Sequence, residues 1–121
     1  PPLRSKGVMG SYDSANNVLT LLICDQHEGK TDYVNSAWQI QENPYSGDAL
    51  NSYNDGPLED GSQMGPFYEL EASSPGAALK PGEKLTHTQY TIHITGDKNM
   101  LDNVSVKTLG VSVLEIENAF K

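Results

Sequence analysis

Leu85-Thr86-His87-Thr88-Gln89-Tyr90-Thr91-Ile92-His93-Ile94-Thr95 is the clearest strand in this 121-residue chain. Successive side chains of an extended backbone point to opposite faces, so Tyr90, Ile92 and Ile94 fall on one side and His87, Gln89, Thr91 and His93 on the other. The reading is a strand with a core side and a wet side. It commits the chain to a sheet that keeps one polar face, and a two-layer sheet fits that better than a helical bundle.

Downstream, Gly96 breaks the strand and Asp97 is placed to cap a helix from Lys98, with Met100, Leu101, Val104 and Thr108 on one side. Gly110 closes that helix. Ser112 with Glu115 three residues on resembles a capping box for a short last helix ending near Phe120. Upstream, residues 7–12 alternate weakly before the turn formers Asp13-Ser14-Ala15-Asn16-Asn17. The apolar run Val18-Leu19-Thr20-Leu21-Leu22-Ile23-Cys24 follows, which predicts a β-hairpin. Trp38 and Ile40, two apart, predict a short strand over 36–41. Residues 49–53 allow no more than a brief strand, and 67–72 predict another.

Between these last two, residues 54–65 collect Gly56, Pro57, Gly61 and Gly65, a long loop of the kind that carries function. Lys80-Pro81-Gly82-Glu83 is a turn with Pro and Gly at its two central positions. The expectation is one mostly β domain over 1–121, with strands to about residue 95 and a helical segment over about 98–120.

Composition supports that order. A chain of this length buries roughly two thirds of its unfolded surface, enough for one core. Only 36% of residues are hydrophobic, and mean hydropathy is −0.50, so the core is thin. Eight basic against sixteen acidic residues give a net charge of −8, which repels phosphate backbones and anionic headgroups. Neither nucleic acid nor a membrane surface is an expected partner. No stretch approaches the ~20 apolar residues of a membrane span, and the Pro-Pro-Leu-Arg start lacks the apolar core of a signal peptide. Cys24 is the only cysteine, so no internal disulfide or multi-cysteine metal site can form, and a buried, inert thiol is its ordinary reading. A soluble chain is expected, periplasmic or secreted if it belongs to a longer precursor.

Polar chemistry concentrates in residues 53–71 and 87–93. Glu69 and Glu71 alternate with Tyr68 and Leu70 and so share a face. Paired carboxylates can divide acid and base roles, although a solvated acidic face is the plainer reading. If their strand neighbours the 85–95 strand, either glutamate could meet His87 or His93 across a ladder. His87 and His93 lie too far apart on one straight strand to clasp a metal unaided, and no cofactor is expected. Tyr53-Asn54-Asp55-Gly56-Pro57 sets an aromatic, an amide and a carboxylate side by side, a mixture that suits a sugar's C–H face and paired hydroxyls. It is equally an ordinary turn. Trp38 could be a stacking platform or a core anchor, and Gln89 adds an amide to the histidine face. Phosphate-cradling Gly loops, nucleophile elbows and His-Glu-x-x-His zinc pairs are missing from the sequence.

Several motifs in order carry a family resemblance: Gly10-Ser11-Tyr12-Asp13, Thr31-Asp32-Tyr33-Val34-Asn35-Ser36, Tyr53-Asn54-Asp55-Gly56-Pro57, Gly65-Pro66-Phe67-Tyr68-Glu69-Leu70-Glu71, Leu79-Lys80-Pro81-Gly82-Glu83 and Leu109-Gly110-Val111-Ser112. The succession resembles the C-terminal part of an uncharacterised bacterial family with the galactose-mutarotase-like supersandwich fold. That resemblance implies an antiparallel β-sandwich, a partial supersandwich, related to sugar-handling proteins. Epimerases of that fold use a carboxylate base and a histidine acid, which implies Glu69 or Glu71 and His87 or His93 as candidates. Gln89 and Tyr90 depart from the His and Arg that members of the family often carry.

The leading expectation is a carbohydrate-binding domain using Trp38, Tyr53, Asn54, Asp55 and Gln89. The alternatives are an aldose epimerase or lyase working through a Glu-His pair, and an oligomerising structural domain or fragment without ligand. A supersandwich cut to this length would leave sheet edges open, which predicts a homo-oligomer joined through those edges.

Overall fold

A computed structural model of the chain describes residues 1–119. It is mostly β, with two antiparallel sheets and a short helical segment at the C-terminal end. The chain separates into two compact units, one formed by Pro1–Ser5 and His27–Leu85, the other by Lys6–Gln26 and the chain from Thr86.

The second unit holds the expected hairpin. Strands β1 (Val8–Asp13) and β2 (Val18–Cys24) pair antiparallel from Asp13 opposite Val18 to Val8 opposite Ile23. The Asp13 carboxylate holds the turn, accepting from the backbone N–H groups of Ala15 and Asn16 and from the Asn16 side chain. Those bonds, the side-chain one first, keep its pKa below the ordinary value. Strand β3 of the chain order, Leu50–Asn54, and β4, Tyr68–Ala72, belong to the other unit; β5 (Gln89–Thr95) returns to pair with β2, giving the order β1-β2-β5.

As the central strand, β2 is buried on both faces, with Leu19, Leu21 and Leu22 all at or below 2% exposure. Helix α1 (Lys98–Thr108) starts where Asp97 accepts from the Met100 N–H, and α2 (Val113–Asn118) starts at the Ser112–Glu115 capping box. The two sequence-level cap assignments hold. At the end of α1, Gly110 takes a positive φ of 78° and its N–H returns to the Val106 carbonyl, a left-handed cap. Leu101 of α1 and Val113 at the start of α2 complete the core with Leu19 and Leu21. Lys98 and Glu117 tie the two helices by an ion pair at 2.7 Å. Phe120, where the last helix was expected to end, lies outside the described residues.

Two features of the opening stretch need correction. The strand begins at Gln89, not Leu85, so His87 precedes it and does not share its face as a strand residue. The Asp25 carboxylate accepts the Thr88 N–H, and the Asp25 N–H donates to the Thr88 carbonyl; a side chain thus closes the ladder just beyond the Gln89–Cys24 pair. The apolar side of β5 is also not all core. Ile94 packs against the Leu19 cluster, but Tyr90 and Ile92 are exposed, because α1 and α2 make their main sheet contacts with β2 and β1 and leave that end of the edge strand uncovered.

The first unit contains the antiparallel pair β3–β4, an isolated parallel bridge between Tyr33 and Ser46, and long turns. Tyr33 and Ala49 are its buried apolar residues. The turn at Lys80 forms as read, with the Glu83 N–H donating to the Lys80 carbonyl. No strand forms over 36–41. Local bonds take that backbone instead: Ala37 N–H donates to the Asn35 side chain, and the Gln41 amide donates to the carbonyls of Asn35 and Ala37. Trp38 and Ile40 are consequently fully exposed, which removes the core-anchor reading of Trp38.

Candidate functional site

The β3–β4 register sets Asn51 opposite Glu71 and Tyr53 opposite Glu69. Directly opposed residues of an antiparallel pair point to the same face, so these four side chains share one surface. That surface forms the floor of a cleft of about 950 Å³ built from the first unit alone. Ser36, Ala37 and the exposed Trp38 line one part of it, and Leu58, Ser62, Gln63 and Met64 of the long loop line another. The volume is within the range of small-molecule sites.

Asp55 organises the loop. It is 8% exposed, and both of its oxygens are engaged, Oδ1 accepting from the Tyr53 hydroxyl at 2.7 Å and Oδ2 from the Gly65 N–H at 2.7 Å. The Asp55 N–H donates in turn to the Phe67 carbonyl, so the two ends of a loop more than ten residues long meet at one carboxylate. The Tyr53 bond, then the Gly65 bond, hold the Asp55 pKa below its ordinary value, and the same contact with Asp55 raises that of Tyr53. Phe67 packs its ring 6.0 Å from that of Tyr53.

Glu69 and Glu71 behave differently. The neighbouring Glu71 carboxyl, with partial desolvation and charge repulsion added, raises the pKa of Glu69. Glu69 therefore keeps its proton to higher pH than an ordinary glutamate. Beside the pair, Asn51 Nδ2 lies 3.4 Å from the Ser36 hydroxyl, while Asn51 Oδ1 is buried with no partner.

Six residues singled out in the sequence thus line one cleft: Trp38, Tyr53, Asn54, Asp55, Glu69 and Glu71. Asn51 was not among them, although its position two residues before Tyr53 on a strand was signal enough to put it on the same face. His87, Gln89 and His93 do not line this cleft. Gln89 sits opposite Cys24 on β5, and His93 sits opposite Thr20, whose hydroxyl is 2.9 Å from His93 Nδ1. The expected ladder between a glutamate and a histidine does not form, because β4 pairs with β3 and β5 with β2. The Cys24 thiol is half-buried, and burial, then the neighbouring Asp25, push its pKa up.

Among the described residues, no group of three or more His, Cys, Asp or Glu is arranged to hold a metal ion, and no helix is long and apolar enough to cross a membrane. Residues 1–120 match a protein family of unknown function. No curated protein and no solved structure gives a significant match.

Proposed function

The chain belongs to that family, DUF6786, and from this premise we propose that it is a carbohydrate-binding domain of galactose-mutarotase-like type, whose ligand occupies the cleft over β3 and β4. The observation that carries the reading is the exposed indole of Trp38 on a cleft whose floor presents Asn51, Tyr53, Glu69 and Glu71. A pyranose offers an apolar C–H face and a rim of hydroxyls. An aromatic surface takes the first, and planar amide and carboxylate groups take paired hydroxyls.

Glu69 and Glu71 alternate along one face of β4, which puts both carboxyl groups on the same side of a ligand instead of flanking a scissile bond and favours binding over hydrolysis. Nor does a glutamate of β4 share a ladder with a histidine of β5, the arrangement an epimerase reading drew on.

The mutarotase-like fold type and the partial supersandwich rest on the succession of motifs and on the antiparallel sheets. Self-association through open sheet edges belongs to the same proposal, supported by β1 and β5 each having one unpaired edge in their sheet. Titration of the protein against a panel of neutral oligosaccharides tests the binding reading. Saturable binding that weakens in Trp38→Ala supports it, and a panel with no binder up to millimolar concentration overturns it.

A further inference from the structure

Resting on the self-association reading, we infer that two copies of the chain pair through β5, antiparallel about a twofold axis at Ile92, so that their three-stranded sheets become one. Only the second unit takes part.

The backbone decides which residues of β5 face outward. The Asp25 N–H donates to the Thr88 carbonyl, which makes Asp25 and Thr88 a hydrogen-bonded pair at the end of the β2–β5 ladder. Hydrogen-bonded and non-hydrogen-bonded pairs alternate along an antiparallel ladder. Tyr90, Ile92 and Ile94 therefore direct their backbone groups to β2, opposite Ile23, Leu21 and Leu19. The N–H and C=O groups of Gln89, Thr91, His93 and Thr95 point away from the sheet. The other side of β2 agrees, because the Cys24 N–H donates to the Gly7 carbonyl beside β1.

The two edges of the sheet are not equivalent. β1 is half-buried up to the charged Asp13, and α2 packs against it. Six of the seven residues of β5 are exposed. Edges that stay single are ordinarily blunted by a lysine, a proline or a bulge. Residues 89–95 contain no Asp, Glu, Lys, Arg or Pro, and their register against β2 runs without a bulge. On a chain of net charge −8, this strip lets two copies meet without opposing carboxylates.

Such an edge takes another β-strand, and β5 is complementary to itself. With Ile92 opposite Ile92 of the second copy, Thr91 meets His93 and Gln89 meets Thr95, so every outward residue pairs, with about eight hydrogen bonds in all. Moving the axis to Thr91 or His93 leaves an outward residue of β5 unpaired. The two Ile92 residues form a non-hydrogen-bonded pair, whose side chains approach most closely, and Tyr90 stands opposite Ile94. One contact thus covers both Tyr90 and Ile92, which are exposed in the single chain.

The test places one cysteine at a time in a Cys24→Ser background, with oxidised glutathione at about pH 8, where thiolate is available. Ile92→Cys would bring two Cα atoms to about 4.5 Å, inside the disulfide range of about 4.4–6.8 Å. Most of that protein should run at twice 13.1 kDa on non-reducing gels. Tyr90→Cys, roughly 13 Å from its copy, should stay at the mass of one chain. Thr91→Pro removes an outward N–H and no bond to β2, so it should fold by circular dichroism and scatter light as a monomer. The cross-link decides the register whether or not that variant folds. A dimer in solution whose Ile92→Cys form links no better than Tyr90→Cys overturns the inference and leaves self-association standing, as does a folded Thr91→Pro that remains dimeric. A monomeric mass for the unaltered chain at micromolar concentration overturns both.

Discussion

The Tyr53 hydroxyl and the Asp55 carboxylate meet at 2.7 Å across a single intervening residue, at the point where β3 leaves the sheet and the long loop begins. The contact joins a residue of the cleft floor to the residue that closes the loop, since the other Asp55 oxygen takes the Gly65 N–H. Loop order and site geometry therefore depend on one ionised carboxylate.

The pH dependence follows from the direction of the Asp55 shift. Its folded pKa is lowered by the Tyr53 and Gly65 bonds, so its stabilising contribution is complete above the ordinary carboxylate value of about 3.9 and is lost as pH falls through the lower folded value. The Gly65 amide shift, followed by NMR, is expected to titrate with a midpoint below about 3.9. Tyr53→Phe removes the larger cause and should move that midpoint upward. An unchanged midpoint in the variant would break the assignment.

Gly10 tests the packing of the second unit. A Cβ at that position would stand 2.7 Å from the Thr20 carbonyl oxygen and 2.9 Å from Leu109 Cδ1, at the end of α1. Overfilling a close approach of this kind costs about 1–3 kcal/mol. Gly10→Ala is expected to lower the thermal midpoint by several degrees, at about 4–8 °C per kcal/mol for a small domain. Gly29→Ala makes an unsuitable control because its φ is positive, whereas Gly56, with open space around it, should tolerate alanine.

The open edge of β5 leads to a prediction about assembly. Tyr90 and Ile92 are exposed on the strand, and an unpaired edge with apolar side chains invites another chain. Light scattering at micromolar concentration should give a mass above the 13.1 kDa of one chain. Ile92→Lys, a charge on the edge, should return the mass to that of a monomer.

A binding role without acid–base turnover predicts that the protein leaves sugar mutarotation alone. In polarimetry the rate for glucose is expected to equal that of buffer. Acceleration that disappears in Glu69→Gln would restore an epimerase reading.

What the sequence made legible was local. The hairpin to Cys24 and the caps at Asp97 and Ser112 depend on neighbours a few residues away, and these formed where read. The start of β5 depended on Asp25, 63 residues distant from Thr88, and no periodicity could reveal that. Trp38 and Ile40 offered only two alternating residues, and the bonds made by Asn35 and Gln41 outweighed them. The site divides in the same way. Alternation correctly put Glu69 and Glu71 on one face, but the pairing that brought Tyr53 and Asn51 to them is a matter of register between strands. The histidines were grouped with the glutamates on the family resemblance and on the condition that their strands are neighbours, and the strand pairing does not join them.

The central claim is that the cleft edged by Trp38 takes a sugar, and Trp38 is the chain's only tryptophan and fully exposed, so its emission reports on that cleft alone. Fluorescence titration with an oligosaccharide is the most direct measurement. The prediction is a saturable blue shift as a pyranose ring covers the indole. Emission unmoved by neutral oligosaccharides at millimolar concentration would contradict it.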